Sequence, residues 1–470
     1  MRARARRAAA ALAALALAGA PAATGEDLPG TPGRLVEGIG CRSDPTQTYS
    51  LYLPSGYPGD RRWPALLIFD PRGRSVLAAE LFVAAAEEFG WILLSSDNTR
   101  SDGPWEPNQR AIDALWPEVH TRYATDPDRL YATGFSGGAI LAWQVGQATG
   151  RLAGVIGVAG RLPDGETPDA VRFAHFGAVG STDFNYRPMR AIEELLARLG
   201  TPHRREVFAG PHRWFPAAMA RQALGWMEVV AIRQGRRPPD PSLVGRLLAE
   251  ELAAARVLEE EGEALAALER YQVITATYRG LAGVAPAEAR IAALGEGREV
   301  RRQRRQRRAA EDLEVRWWER ALPTLVLLGQ GRPPLTAAAA VRDLRIDALE
   351  GLAADPGPSG FAAQRVLERI FTQTSFYLAR DLRARDLPGA AAVALEVATE
   401  IHGDGPVVWY NLACARAQAG DVGAALRALE RAVAAGFGDR ETLTGDSDLA
   451  PLREEERYRR LVAGLDGGSG

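Results

Sequence analysis

Lysine is absent from the 470-residue sequence, and all 57 residues of its Lys+Arg total are arginine. A chain without lysine cannot contain a G-x-x-x-x-G-K-[ST] phosphate-binding loop, a Schiff base to an aldehyde cofactor or a serine–lysine nucleophile pair. Histidine and cysteine are also scarce, with five and two residues. They form no C-x-x-C pair and no H-E-x-x-H motif, so we expect neither a metal site nor a cofactor.

The two cysteines, Cys41 and Cys414, lie far apart in the sequence. Cys414 falls in an amphipathic helical pattern, where a cysteine commonly acts as a small buried hydrophobic residue. We therefore expect a free buried thiol at this position. One disulfide between the two cysteines is the alternative.

A large excess of charge is lacking as well, because the formal net charge is −2. Hydrophobic residues make up 46% of the chain and charged residues 25%, as is typical of a globular protein, and this length predicts two or three domains. The one strongly basic run, Arg301–Arg308, is flanked by glutamate and aspartate. This pattern indicates a solvated helix face, and we expect no nucleic-acid partner.

The N-terminal segment has the features of a targeting sequence. Four arginines within residues 1–7 precede the apolar run Ala8–Ala20, and small residues occupy positions 20–22. The run is too short to span a bilayer comfortably. We interpret residues 1–22 as a cleaved export signal, which predicts a periplasmic or extracellular protein without a stable membrane span. A retained N-terminal anchor is the alternative.

The remaining chain shows two different patterns. In residues 35–234, short continuous apolar runs alternate with amphipathic stretches, which predicts an α/β domain with a doubly wound parallel sheet. The proline-rich segment 235–242 cannot continue a helix or a central strand, and we interpret it as a linker. In residues 243–465 alanine, leucine, glutamate and arginine dominate, which predicts an all-α domain.

The helical half contains an internal repeat. Apolar residues recur at a spacing of 34 positions, as in the pairs Leu378 and Leu412, and Leu395 and Leu429. A helix–turn–helix repeat of this length is typical of tetratricopeptide arrays. Residues 372–439 resemble that family, most closely in the second unit, which begins at Trp409. The resemblance implies a groove that could bind a protein partner.

The residues Gly134–Gly138 form a G-x-S-x-G motif around Ser136. They follow an apolar run, Arg129–Thr133, and precede a helical pattern, so the motif is predicted at a strand–turn–helix junction. In that setting the serine side chain is exposed at the carboxyl edge of the sheet. We therefore predict Ser136 as a nucleophile; a tight turn without catalytic function is the alternative.

A serine nucleophile needs a histidine to take its proton and a carboxylate to orient the histidine. In this fold the chain order is serine, acid, histidine, and Asp183 and His212 follow later strand candidates in that order. We predict these two residues as the acid and the base. Two earlier acids and one earlier histidine are the rivals: Asp164, Asp169 and His203.

Two further sets of residues are predicted around the nucleophile. The oxyanion of the tetrahedral intermediate needs two N–H donors, and we assign them to the backbone of Gly137 and of Arg72, with Gly73 as the reserve. Three aromatic residues lie in loops near the strand ends and are predicted to line an apolar substrate pocket. They are Trp105, Trp214 and Phe215.

Residues from about Cys41 to Ile232 resemble an α/β-hydrolase of the polyhydroxybutyrate-depolymerase-like and feruloyl-esterase-like type. The resemblance implies hydrolysis of a small-molecule ester through a serine acyl-enzyme, with no metal. One departure is that Asp70-Pro71 replaces the His-Gly pair usual in this family at the oxyanion turn. The residues that carry the resemblance are Tyr49–Pro54, Gly134–Gly138, Asp183 and Gly210–Trp214.

An exported carboxylesterase is therefore the leading functional hypothesis. Two alternatives stay open. One is a prolyl-oligopeptidase-like peptidase, since such enzymes share the G-x-S-x-G-G form. The other is a hydrolase-like scaffold that is catalytically weak or inactive and whose helical repeats bind a protein partner.

Overall fold

A computed structural model describes residues 29–58, 61–165, 167–331 and 335–465 of the chain. The predicted export signal, residues 1–22, lies outside the described residues. The described chain forms two compact units that divide between Arg304 and Arg305.

The first unit is built on an eight-stranded sheet with the order β1-β2-β4-β3-β5-β6-β7-β8. Strand β2 runs antiparallel to both of its neighbours, and the six strands β3 to β8 are mutually parallel. The strands are β1 (Leu35–Gly40), β2 (Thr48–Tyr52), β3 (Trp63–Phe69), β4 (Ile92–Ser96), β5 (Thr125–Phe135), β6 (Gly154–Val158), β7 (Ala174–Gly180) and β8 (His203–Phe208).

Five helices cover the two faces of this sheet. They are α1 (Ser75–Phe89), α2 (Glu106–Thr121), α3 (Gly137–Thr149), α4 (Tyr186–Leu199) and α5 (Ala217–Arg233). Alternate residues of β3 enter different cores: Leu67 packs with apolar residues of α2, α3 and α4, whereas Leu66 packs with those of α1 and α5. Burial on both faces explains why the strands read as continuous apolar runs. The predicted doubly wound α/β architecture, in the strand order of an α/β-hydrolase, is confirmed.

Three more helices belong to the first unit, together with the start of a fourth. They are α6 (Pro241–Glu260), α7 (Ala264–Tyr278), α8 (Ala285–Gly295) and α9 (Arg298–Gln330), and α9 crosses the division between the units. Val229 and Ile232 of α5 share one apolar core with Leu247 of α6 and Tyr271 of α7. The segment predicted as a linker, residues 235–242, therefore lies inside the first unit, because the helices after it cover an apolar face of α5.

A buried arginine strengthens this attachment. Arg204 of β8 is almost fully buried and binds Glu206 of the same strand and Glu251 of α6 at 2.7 Å each. Arg270 of α7 also pairs with both carboxylates. The sheet and the first helices after it thus share one network of ion pairs.

The second unit is entirely helical in its described residues, as predicted. Its helices after α9 are α10 (Ala337–Leu344), α11 (Ile346–Ala353), α12 (Pro358–Thr372), α13 (Ala379–Ala384), α14 (Pro388–Ile401), α15 (Pro406–Gln418), α16 (Val422–Ala434), α17 (Arg440–Gly445) and α18 (Glu456–Gly464). A π-helical segment, Gln373–Leu378, joins α12 to α13. A 3-10 helix, Ser447–Leu452, precedes α18.

The residues of the 34-residue spacing pack together in this unit. Leu395 of α14 and Leu429 of α16 are fully buried in one core, and Leu412 of α15 joins them. The spacing thus reflects helices that bury equivalent apolar positions. Membership of the tetratricopeptide family stays a prediction.

Two further observations concern the described residues as a whole. Cys41 and Cys414 are both buried free thiols, as expected for Cys414. No described helix combines the length and the apolar character that crossing a membrane requires.

Candidate active site

Ser136 lies at the junction between β5 and α3, where the chain turns sharply. Its backbone has φ 54° and ψ −117°, a conformation that is uncommon for a residue with a side chain. The Ser136 N–H donates to the Val158 carbonyl of the next strand over 2.8 Å. The strained turn holds the half-buried serine at the carboxyl edge of the parallel sheet.

The two glycines of the motif are required by close backbone contacts. A Cβ on Gly134 would lie 2.2 Å from the backbone of Gly138, and a Cβ on Gly138 would lie 1.9 Å from the Phe69 carbonyl oxygen. No side chain fits at either position, because backbone atoms cannot move aside as the end of a flexible side chain can. The G-x-S-x-G spacing thus has a steric cause in this fold.

The structure brings Ser136, His212 and Asp183 into one hydrogen-bonded chain. The Nε2 atom of His212 lies 2.9 Å from Ser136 Oγ, and its Nδ1 atom lies 2.9 and 3.0 Å from the two carboxylate oxygens of Asp183. Asp183 follows β7 and His212 follows β8. These distances allow a proton to move from the hydroxyl to the imidazole while the carboxylate orients the ring.

Neighbouring groups hold Asp183 and His212 in place. Asp183 is fully buried, and its Oδ1 also accepts from the Asn185 N–H over 2.7 Å. The His212 ring packs between Phe135 and Phe184, with ring centroids 4.6 and 4.3 Å away. Sequence reasoning missed these two phenylalanines and Asn185, although each is adjacent to a predicted site residue or within two positions of it.

The other histidines lie in different environments. Nδ1 of His203, at the start of β8, lies 2.8 Å from the Thr201 carbonyl oxygen. His175 is buried in β7, and this burial, together with the charge of His203, lowers its pKa to about 3. His120 lies in α2, and His402 of the second unit contacts Glu368. The rival acids Asp164 and Asp169 are exposed.

The turn after β3 carries the two residues predicted as the second oxyanion donor, Arg72 and Gly73. The Arg72 N–H donates to Asp70 Oδ1 over 2.8 Å, and the Gly73 N–H donates to the Asp70 carbonyl over 3.1 Å. Both predicted donors therefore already have an acceptor within the turn, and the assignment of Arg72 to the oxyanion stays a prediction. This engagement has a physical cause, because the Asp70 carboxylate accepts the backbone N–H of Arg72, two residues further along the same turn.

Asp70 organises this part of the site. Its buried carboxylate also accepts from the Arg74 guanidinium at 2.9 Å and from Trp214 Nε1 at 2.8 Å. Burial alone would raise the pKa of Asp70, but the hydrogen bonds from Arg74, Trp214 and the Arg72 N–H outweigh it and hold the pKa below its usual value. The residue is therefore a charged structural centre.

The predicted substrate-binding aromatics occupy three different positions. Trp214 is buried between Phe82 and Phe135 and carries the hydrogen bond to Asp70. Phe215 is 1% exposed and packs in the core, so the structure does not bring it to a surface that a substrate could reach. Trp105 is 40% exposed, and its Nε1 donates to Gln109.

The helix α3 begins directly after Ser136. The N–H of its first residue, Gly137, meets no acceptor among the described residues, and the positive end of a helix dipole adds to its field. A Cβ on Gly137 would lie 2.2 Å from Cβ and 3.1 Å from Oγ of Ser101. Ser101, in the loop after β4, is thus a site neighbour that no sequence motif indicated.

Comparison with known proteins gives structural similarities only. No protein-family model and no curated protein sequence matches the chain. A thermostable esterase is 16% identical with a TM-score of 0.35, and the match covers 42% of this chain and 62% of that one. The chain thus spans less than two thirds of that esterase.

Two other solved structures are similar to a comparable extent. A ferulic acid esterase is 16% identical over 39% of this chain and 92% of that one, with a TM-score of 0.32. An S-formylglutathione hydrolase of Staphylococcus aureus is 14% identical over 43% and 98% of the two chains, with a TM-score of 0.34. The case for an activity rests on the site geometry instead.

Proposed function

We propose that this protein is a serine hydrolase, and specifically a carboxylesterase that acts on a small-molecule ester. The observation that carries the proposal is the unbroken hydrogen-bonded chain from Ser136 through His212 to Asp183. The three residues come from separate loops at one edge of the sheet. Stability does not explain an arrangement this specific, since burying polar groups costs free energy that apolar packing at the same place would not cost.

The reaction follows from the positions of these atoms. Ser136 Oγ attacks the ester carbonyl carbon while its proton passes to His212 Nε2, and the carbonyl π electrons become the oxyanion. Asp183 accepts the Nδ1–H of His212 and stabilises the imidazolium. When the oxyanion collapses, the bond to the alcohol oxygen breaks and this oxygen takes the proton from His212. Water then repeats both steps on the acyl-enzyme and releases the acid.

Gly137 supports the intermediate through its backbone. Its N–H follows the nucleophile, lies at the start of α3 and has no acceptor among the described residues. A donor of this kind stabilises the oxyanion more than the neutral carbonyl, because negative charge develops only in the transition state.

Chemical labelling of the purified protein tests the proposal. The wild type should react with a fluorophosphonate probe and cleave short p-nitrophenyl esters, and Ser136→Ala should lose the label and about a million-fold in turnover. The matched control is Ser242→Ala, because Ser242 is an exposed serine at the start of α6. This variant should react like the wild type. If the wild-type protein neither reacts with the probe nor cleaves the esters, the esterase proposal is wrong and the inactive-scaffold alternative remains.

The same assay separates an esterase from a peptidase. A peptidase would cleave p-nitroanilides of short peptides faster than p-nitrophenyl esters of similar size, relative to their uncatalysed rates. We expect the reverse for a carboxylesterase.

Two further proposals concern the rest of the chain. We propose export through the segment 1–22, and N-terminal sequencing of the protein from its native cells should find the mature chain starting near residue 23. We also propose that residues 372–439 form tetratricopeptide-like repeats that bind a protein partner. The shared burial of the repeat positions supports this second proposal.

A further inference from the structure

The backbone donors that would complete the oxyanion site are used elsewhere. The N–H groups of Arg72 and Gly73 both donate to Asp70, and Asp70 is fixed by Arg74 and Trp214 on its other oxygen. Releasing the Arg72 N–H would leave a buried carboxylate with one partner fewer, which is costly. A second donor to the oxyanion must therefore come from another element.

Ser101 has a polar side chain that lies next to Gly137, whose N–H is the first proposed donor to the oxyanion. Its Oγ is 3.1 Å from the place where a Cβ of Gly137 would stand, which puts the hydroxyl within about 6 Å of the Gly137 nitrogen. Two donors that share one oxygen at about 2.7–3.1 Å lie no more than about 6 Å apart. The spacing thus fits joint donation to a single oxyanion.

The loop that carries Ser101 is held rigidly on the turn after β3. The Ser101 N–H donates to the Pro71 carbonyl over 2.9 Å, and Thr99 Oγ1 donates to the Asp70 carbonyl over 2.9 Å. Asn108 of α2 exchanges two hydrogen bonds with the backbone of Arg100, at 2.9 and 2.7 Å. A donor fixed in advance in this way needs little reorganisation during the reaction.

The Ser101 hydroxyl can change its acceptor. In the structure it donates to Asp102 Oδ2 over 2.7 Å, at an exposed position. A hydroxyl hydrogen rotates freely about its C–O bond, so the same group can turn from a solvated carboxylate to an oxyanion that forms beside it. Gly137 also has no side chain that would separate the hydroxyl from the reacting carbonyl.

We infer that the Ser101 hydroxyl is the second hydrogen-bond donor to the oxyanion and, with the Gly137 N–H, replaces the donors that Asp70 has taken up. Ser101 is then a catalytic residue that touches the intermediate and moves no proton. The inference rests on the proposed esterase function, and it assigns the role to the loop after β4 instead of the turn after β3.

Steady-state kinetics of two variants test this role. Ser101→Ala should lower kcat about 100-fold, the loss seen when one oxyanion donor is removed, with KM changed less than threefold. Ser101→Cys keeps the size of the side chain but offers only a weak donor, so it should lose nearly as much. Ser242→Ala should have the kcat of the wild type.

Inhibition by an alkyl boronic acid gives a second measurement, which should not change if Ser101 has only a structural role. The boronate adduct of Ser136 carries a negative tetrahedral centre, so Ser101→Ala should weaken its inhibition about as much as it lowers kcat. Thermal unfolding should occur at the wild-type temperature. Equal kcat, equal boronate inhibition, or a change in KM alone would overturn the inference while leaving the esterase proposal standing. An inactive wild type would overturn both.

Discussion

The indole N–H of Trp214 donates to Asp70 Oδ2 over 2.8 Å and so joins the loop of His212 to the turn after β3. Trp214 stands two residues after His212, and its ring packs on Phe135, whose own ring contacts His212. The position of His212 thus depends on a buried carboxylate from a different strand end. This connection leads to the first prediction.

Trp214→Phe keeps an aromatic ring in the core but removes the donor to Asp70. We expect kcat to fall about tenfold, because His212 loses an anchor, and stability to fall by about 1 kcal/mol. Trp226→Phe is the matched control, since Trp226 is also buried and donates to Thr277. It should lose similar stability, measured by urea unfolding, and keep the wild-type kcat. Equal kcat in both variants would contradict the anchoring role.

Asp70→Asn should lower stability by about 1–3 kcal/mol at neutral pH, because Arg74, Trp214 and the Arg72 N–H lose a charged acceptor that is itself buried. The folded-state pKa of Asp70 lies below its usual value. Its contribution is therefore fully present above the unfolded pKa, near 3.9, and is lost as the pH falls through the folded pKa. Urea unfolding should give a constant difference between wild type and variant from about pH 5 to 8. Below about pH 4 the difference should narrow; a difference that widened there would rule out this account.

Asp183→Asn should reduce kcat about ten-thousand-fold, because an amide no longer holds the histidine in the tautomer that accepts the serine proton. The Asn185 N–H can still donate to the new side chain, so the fold should persist. Asp164→Asn changes the exposed rival acid, which pairs with Arg161, and should leave kcat within twofold. If Asp164→Asn lost kcat and Asp183→Asn kept it, the proposed acid would be Asp164 and the assignment to Asp183 would be wrong.

Gly138→Ala should prevent the turn around the nucleophile, because the added methyl group would stand 1.9 Å from the Phe69 carbonyl oxygen. We expect a loss of about 4 kcal/mol or more, or an insoluble protein. Gly245→Ala in α6 is the control, since no atom lies within 4 Å of its Cβ position. Alanine is the better helix former and should raise stability by up to about 1 kcal/mol. A soluble and active Gly138→Ala protein would disprove the steric argument.

Truncation tests where the first unit ends. A chain that stops after Gln234 leaves Val229 and Ile232 without their partners on α6 and α7 and should aggregate on expression. A chain that stops after Arg304 retains these helices, together with the buried Val300 that packs on Leu268, and should stay soluble with a cooperative melt. Size-exclusion chromatography and thermal unfolding compare the two. A soluble, folded chain ending at Gln234 would favour the boundary at 235–242.

The parallel strands and the hydrogen-bonded chain from Ser136 to Asp183 could be predicted from the sequence. The strands have a local signal, and the three residues follow a fixed order along the chain. Buried parallel strands are continuous apolar runs, and the predicted run Arg129–Thr133 lies within β5. The G-x-S-x-G motif and the order of the following strand ends sufficed to choose Ser136, Asp183 and His212. Their contact in the structure depends only on the carboxyl ends of parallel strands meeting at one edge.

Features that depend on tertiary contacts could not be predicted in this way. The engagement of the Arg72 N–H is set by the direction of the Asp70 side chain, which no spacing reveals. Ser101 approaches Gly137 only because the loop after β4 is bound to the turn after β3. The helix α5 ends at Arg233, before the prolines of residues 235–242. Whether the next helices pack on it depends on apolar residues that lie far apart in the sequence, such as Val229 and Tyr271.

The attachment of α6 and α7 to β8 through Arg204 has a consequence for alkaline conditions. An ammonium group at this buried position would be at risk of losing its proton as the pH rises, and its carboxylate partners would then face each other without a cation. A guanidinium keeps its charge, and its partners Glu206 and Glu251 raise the pKa of Arg204 further above its usual value. Because the cation at this position is an arginine and not a lysine, the contact between β8 and the helices α6 and α7 should persist at alkaline pH.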